Sequence, residues 1–193
     1  MRWWVKARRA YVVLPLSLVC FLALSVVVQD TSVMLPSITG NKQVTLSLFV
    51  PVPLLCGLMM CLESRLPAPE VSSTRAVRLM DAALVFAVLG TGLMCSILGS
   101  LFLDMPLAGA TGRNACFLGG IMLLGRAIMG QPAVMLPVAW VVLVTFVGFR
   151  GPGDPYPWAL VPEPGNDAIA ASVAALAFLI GTLANLRSSR KLS

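Results

Sequence analysis

Histidine is absent from this chain of 193 residues, and charge is scarce, at 11% against 58% hydrophobic residues. Without histidine there is no Ser-His-Asp triad, no HExxH zinc site, no His-ligated haem and no histidine proton relay. The eight carboxylates form no Asp-rich metal motif and no His/Asp/Arg cluster of the kind used on lipid phosphates. Lysine occurs only as Lys6, Lys42 and Lys191, preceded by Val, Asn and Arg, which rules out the Gly-Lys-Ser/Thr end of a P-loop, so any ATP must be bound by another chain. The five cysteines (Cys20, Cys56, Cys61, Cys95, Cys116) contain no CxxC pair and lie in apolar runs, where they are expected as small buried apolar residues. The expectation is a protein without a catalytic motif, cofactor or metal.

What remains is apolar. A mean hydropathy of +0.90 far exceeds that of soluble domains, which are roughly 45–50% apolar and about 25% charged. A helix crossing about 30 Å of hydrocarbon needs roughly 20 apolar residues. Six runs approach that length, near 10–28, 44–62, 77–103, 111–130, 133–149 and 167–186. The expectation is an all-α polytopic membrane protein, one transmembrane domain over 1–193.

The net charge of +6 is distributed by topology rather than gathered on one face, which argues against nucleic acid as partner. Met1–Arg9 holds four cations and Trp3 and Trp4, the composition of an interfacial helix at the cytoplasmic headgroups. A secretory signal is the competing idea, but Ser25–Gln29 makes a poor cleavage site. With that end inside, six spans place Arg2, Lys6, Arg8, Arg9, Arg65, Arg75, Arg78, Arg126, Arg187, Arg190 and Lys191 in the cytoplasm. Only Lys42, Arg113 and Arg150 stay outside, as the positive-inside rule requires.

Within the spans, Gly92, Ser96 and Ser100 and, in the last, Ala168, Ala171, Ala175 and Gly181 offer small-residue packing faces, as do Gly119, Gly120 and Gly125. Pro51 and Pro53 in the second span and Pro137 in the fifth are expected to kink their helices. Arg113 and Arg126 lie about 20 Å apart along one helix, and snorkelling to opposite interfaces is the expected solution. Asp81 reads as an interfacial residue paired with Arg78 or Arg75. Between the fifth and sixth runs, Arg150–Gly165 holds five prolines and three glycines. It is expected to fold onto the outer surface as a cap, with Tyr156 and Trp158 at headgroup level.

This layout resembles the membrane subunits of ABC-2-type ATP-binding-cassette exporters. The similarity lies in the interfacial segment Met1–Arg9, six spans with both ends inside, Glu63 closing the second span before a cytoplasmic segment, Arg113-Asn114 opening the fourth, the short inner turn at Arg126 and the outer segment Arg150–Gly165. The resemblance implies a permease in the bacterial cytoplasmic membrane, surrounded by membrane lipid and pairing with a second permease subunit and an ABC nucleotide-binding subunit. Glu63, Arg65, Arg75, Arg78 and Arg126 would couple to that ATPase. The alternative is a noncatalytic scaffold or accessory subunit of a larger complex.

Overall fold

In the computed structural model, which describes residues 10–28, 31–37, 40–64, 74–102, 106–151 and 154–187, the apolar runs fold as helices. They are α1 (Ala10–Val27), α2 (Pro51–Glu63), α3 (Thr74–Phe102), α4 (Pro106–Ile128), α5 (Met135–Val147) and α6 (Ala168–Arg187). The expected interfacial helix at 1–9, and Arg65 with the rest of 65–73, lie outside the described residues.

Five helical segments are long and apolar enough to cross a bilayer: Ala10–Val27, Leu46–Glu63, Leu79–Phe102, Leu107–Ile128 and Ala168–Arg187. The chain is in this respect compatible with a multi-pass membrane protein. The expected fifth span is shorter. Its α-helical part, α5, has 13 residues, about 20 Å of rise against about 30 Å of hydrocarbon. The cause is at its two ends. Gly130, with φ 80°, turns the chain out of α4 through a conformation that a side chain would resist, and Gln131–Val134 then form a 3-10 turn. At the other end Gly148 stops the helix and the chain becomes extended at Phe149.

The prolines fall where a helix can accept them. Pro51 is the first residue of α2, following a 3-10 turn over Leu46–Phe49, and Pro137 is the third of α5. First-turn N–H groups have no acceptor within their helix, so Pro51, Pro53 and Pro137 forfeit no α-helical hydrogen bond, and within the Leu46–Glu63 segment Pro51 and Pro53 stand where the 3-10 turn passes into the α-helix. The proline that does sit inside a helix is Pro15 of α1, which carries no marker in the surrounding sequence.

Two small antiparallel hairpins join spans on one side. Strands β1 (Ser32–Ser37) and β2 (Gly40–Thr45) pair from Ser32 with Thr45 to Ser37 with Gly40. Strands β3 (Phe149–Gly151) and β4 (Asp154–Pro155) pair Phe149 with Pro155. They give backbone groups between helices partners that the helical runs cannot supply.

The core sits around α4. Of its span 72% is buried, against 17% for α1, 28% for α3 and 22% for α6. Leu118, Met122 and Leu123 of α4 pack in one cluster with Leu54, Leu55 and Leu58 of α2 and Val85 and Leu89 of α3. Gly112 lies against Ser96 and Gly119 against Leu89, an antiparallel register for α3 and α4. Helix α6 runs parallel to α4, and Gly120 and Gly181 bring the two backbones into contact, as small residues do where helices associate without a hydrophobic driving force. The outer surfaces of α1, α3 and α6 expose Leu16, Val19, Leu101, Phe102, Leu179 and Leu183, a surface suited to lipid. Four of the five cysteines depart from the expected burial: Cys61 is buried, Cys20 is exposed and the others are half-buried on helix flanks.

Candidate functional site: two buried arginines and an apolar cleft

Helix α4 starts at Pro106, so Arg113 and Asn114 lie two turns inside it and do not open it. Arg113 is only 6% exposed. Its Nη1 donates to the Pro164 carbonyl at 2.6 Å, and its Nη2 to those of Leu160 at 3.1 Å and Glu163 at 2.7 Å. Its Nε and Nη2 also donate to Asn114 Oδ1 at 3.3 and 3.1 Å, and Asn114 Nδ2 donates to the Val161 carbonyl at 2.7 Å. A proline-rich segment has carbonyls that no helix or strand satisfies, and the guanidinium fork, with five donors in one plane, answers several at once. The segment is thereby held onto the end of α4, with Ala159 and Val161 buried beneath it. No carboxylate bonds Arg113 among the described residues; Asp167 and Glu163 act on it electrostatically from farther away.

Tyr156 and Trp158 belong to an aromatic ladder. Their rings stack at 6.3 Å, Trp158 meets Trp140 of α5 edge-on at 6.3 Å, and Trp140 meets Phe117 of α4 at 5.6 Å. The Arg150 guanidinium lies 4.8 Å from the Tyr156 ring centre, a cation–π contact at the outer end of the ladder.

At the other end of α4, Arg126 is 4% exposed. Its Nε donates to Glu63 Oε1 at 2.8 Å, its Nη2 to the Leu62 carbonyl at 3.0 Å, and its Nη1 to Asn185 Oδ1. This clasp joins the ends of α2, α4 and α6. Both arginines are buried by protein acceptors at opposite ends of α4. Of the five expected coupling residues, the structure brings Glu63 and Arg126 together. Arg75 and Arg78 lie in the opening turns of α3. Asp81 is buried at 4% exposure, and the α3–α4 register sets it level with Arg126 and Ala127. Asn185 had no local signal at all: its partner lies 59 residues away.

Between α3 and α6, with α4 as floor, lies a cleft of about 900 Å³ open along one side. Its walls are Leu93 and Ile97 of α3, Cys116 of α4, and Ala174 and Ala175 of α6. Phe86 and Phe178, in edge-to-face contact at 5.0 Å, close the end toward Arg126. The opposite end carries Arg113, Ser100 and the Pro164–Asn166 stretch of the cap. Ala171 and Ala175, expected as helix-packing residues, line this cleft instead.

Asn114→Leu removes the donor to Val161 and an acceptor of Arg113 while keeping the volume. The expected result is a loss of about 2–3 kcal/mol of stability, from buried polar groups left unpaired. Hydrogen exchange should rise within residues 156–167, with the clasp at Arg126 unaffected.

Comparison with family models, curated proteins and solved structures finds no match for this chain.

Proposed function

We propose that this chain is a non-enzymatic multi-pass subunit of the bacterial cytoplasmic membrane that binds amphipathic molecules in the cleft between α3 and α6. In its specific form, the protein is the permease of an ATP-driven exporter, with six crossings counting α5 and both termini cytoplasmic. It acts with a second permease subunit and a separate nucleotide-binding subunit. The observation that carries this reading is the cleft itself: apolar walls, one open side and a single polar end, the arrangement of a site for a molecule with a long apolar part and a polar head.

The layout resemblance supports the coupling to an ATPase, and so does the position of the Arg126 clasp. Glu63 leads into the segment proposed to meet the ATPase, and Arg126 belongs to α4, the floor of the cleft. A displacement at the end of α2 would be transmitted to that floor through one buried ion pair, since packed elements move between discrete arrangements. Because Arg126 engages Glu63, the residues left to test docking are Arg65, Arg75 and Arg78, of which the first two are exchanged here.

A mild-detergent pull-down of the full chain, with mass spectrometry of co-purifying chains and ATPase assay of the eluate, tests the reading. The expected result is a stoichiometric nucleotide-binding subunit, lost on Arg65→Glu/Arg75→Glu with the permease still folded. A preparation of folded protein without ATPase overturns the exporter reading and favours the scaffold.

A further inference from the structure

The chemistry at the two ends of the cleft narrows what it holds, given the reading of the cleft as an amphipath site. We infer that its occupant is an anionic membrane lipid, with an acyl chain lying along α3 and the headgroup charge set at Arg113.

Three observations lead there. From Phe86 to Ser100 the cleft follows 15 residues of α3, about 21 Å of helix rise from first to last, a length that suits an extended acyl chain better than a compact drug-sized molecule. Its walls offer aliphatic and aromatic carbon, and polar side chains gather at the Arg113 end, where Ser100 and Asn166 also lie. Most telling is the state of Arg113. Among the described residues its guanidinium bonds only neutral oxygens: three backbone carbonyls and the Asn114 amide. Nη1 carries two N–H groups but has one acceptor, so one donor of a buried cation remains on a residue that lines the cleft. A full positive charge in surroundings of low polarity attracts an anion far more strongly than it would in water, and a phosphate oxygen on that donor makes a charge-assisted hydrogen bond. A headgroup carrying its own cation would meet repulsion at the same place.

The carboxylates of Glu163 and Asp167, two charges against one, oppose this field from farther away, where they are half-exposed and screened while the guanidinium is buried, which yields a test that leaves the arginine untouched. Asp167 Oδ1 accepts the Ile169 N–H at the start of α6, and asparagine can do the same. Glu163 uses only its backbone carbonyl on Arg113. Glu163→Gln/Asp167→Asn therefore raises the local positive charge with the cap in place.

The full chain is reconstituted into vesicles of equal parts phosphatidylglycerol and phosphatidylcholine, re-extracted in mild detergent, and its retained lipid measured by mass spectrometry. The expected result is phosphatidylglycerol retained over phosphatidylcholine by about fivefold or more, with the ratio rising further in Glu163→Gln/Asp167→Asn. Ala175 is an exposed wall residue, and Ala175→Phe, which occupies the cleft, should lose the retained lipid and the ratio together. Lipid retained without headgroup preference, or a ratio that falls in the double variant, overturns the anionic assignment and leaves the amphipath site standing. A headgroup preference that survives Ala175→Phe places the selection elsewhere and also overturns it. Retention unchanged in both amount and ratio by Ala175→Phe overturns the reading of the cleft as well.

Discussion

Leucine at Gly120 or at Gly181 is expected to leave little folded protein. A Cβ on Gly120 would overlap the Ala177 carbonyl of α6, and one on Gly181 would overlap the Gly120 carbonyl of α4. The obstruction is backbone on both sides, so no side-chain rotation relieves it; the helices must separate. Separation pulls α6 away from the floor helix, disturbs the Arg126–Asn185 hydrogen bond and widens the cleft. Overpacking of well-fitted interiors costs about 1–3 kcal/mol and more where backbone must shift, so about 3 kcal/mol or more is expected here. The measurement is the fraction surviving as a monodisperse peak after a heat step. Gly90 supplies the control. No atom lies within 4 Å of a Cβ there, and Gly90→Ala should be neutral or stabilising by up to about 1 kcal/mol through helix propensity alone.

Removing both partners of the Arg126 clasp should cost less than the two single losses added together. Arg126→Met leaves the Glu63 carboxylate and the Leu62 carbonyl without the guanidinium, and Glu63→Leu leaves a guanidinium that cannot lose its proton. Loss of one partner of a buried ion pair costs about 3–5 kcal/mol. The side chain of Glu63 is 22% exposed, which places both single variants near the lower figure. Glu63→Leu/Arg126→Met removes both charges together and should be less damaging than the sum of the singles by about 2 kcal/mol. Denaturant titration of the four proteins, followed by near-ultraviolet circular dichroism, measures the difference. Strict additivity would show that the two charges contribute independently.

Helices with an apolar outer surface could be read from the amino-acid sequence because such a surface follows a local rule. A run such as Ala10–Val27 needs only carbon on its surface, and its ends are marked by the first charge. Helix α4 obeys a different rule. Arg113 and Asn114 look like the polar edge of a span, yet they sit inside the helix because carbonyls 47 to 51 residues onward satisfy them. No window along the chain contains both partners. The same holds for Glu63 and Arg126, separated by 63 residues: each residue was visible alone as a charge at a span end, and the bond between them was not. The small residues were legible as a class but not by destination. Gly120 and Gly181 make a helix crossing, whereas Ala171 and Ala175, equally small and equally spaced, border a cleft. The prolines misled for a positional reason, since a proline at the first turn and one in mid-helix look alike until the start of the helix is known.

The most polar of the spanning helices is the most interior one. The Leu107–Ile128 span has a mean hydropathy of 1.2, against 2.5 for Ala10–Val27, and it carries Arg113 and Arg126. On the membrane reading proposed above, each span must leave the translocon for lipid, where an arginine costs about 2.5–3.5 kcal/mol at a helix centre and less toward the ends, where these two lie. Leu107–Ile128 is therefore a poor substrate for insertion by itself. The residues that offset that cost are made at different times: Leu62 and Glu63 before it, the Leu160–Pro164 carbonyls and Asn185 after it. On that reading a half-satisfied helix waits beside its predecessors until the last fifth of the chain has been translated, and truncation before Asn185 is expected to lower the yield of folded protein, measured as the monodisperse fraction after extraction, and not to give a smaller stable bundle.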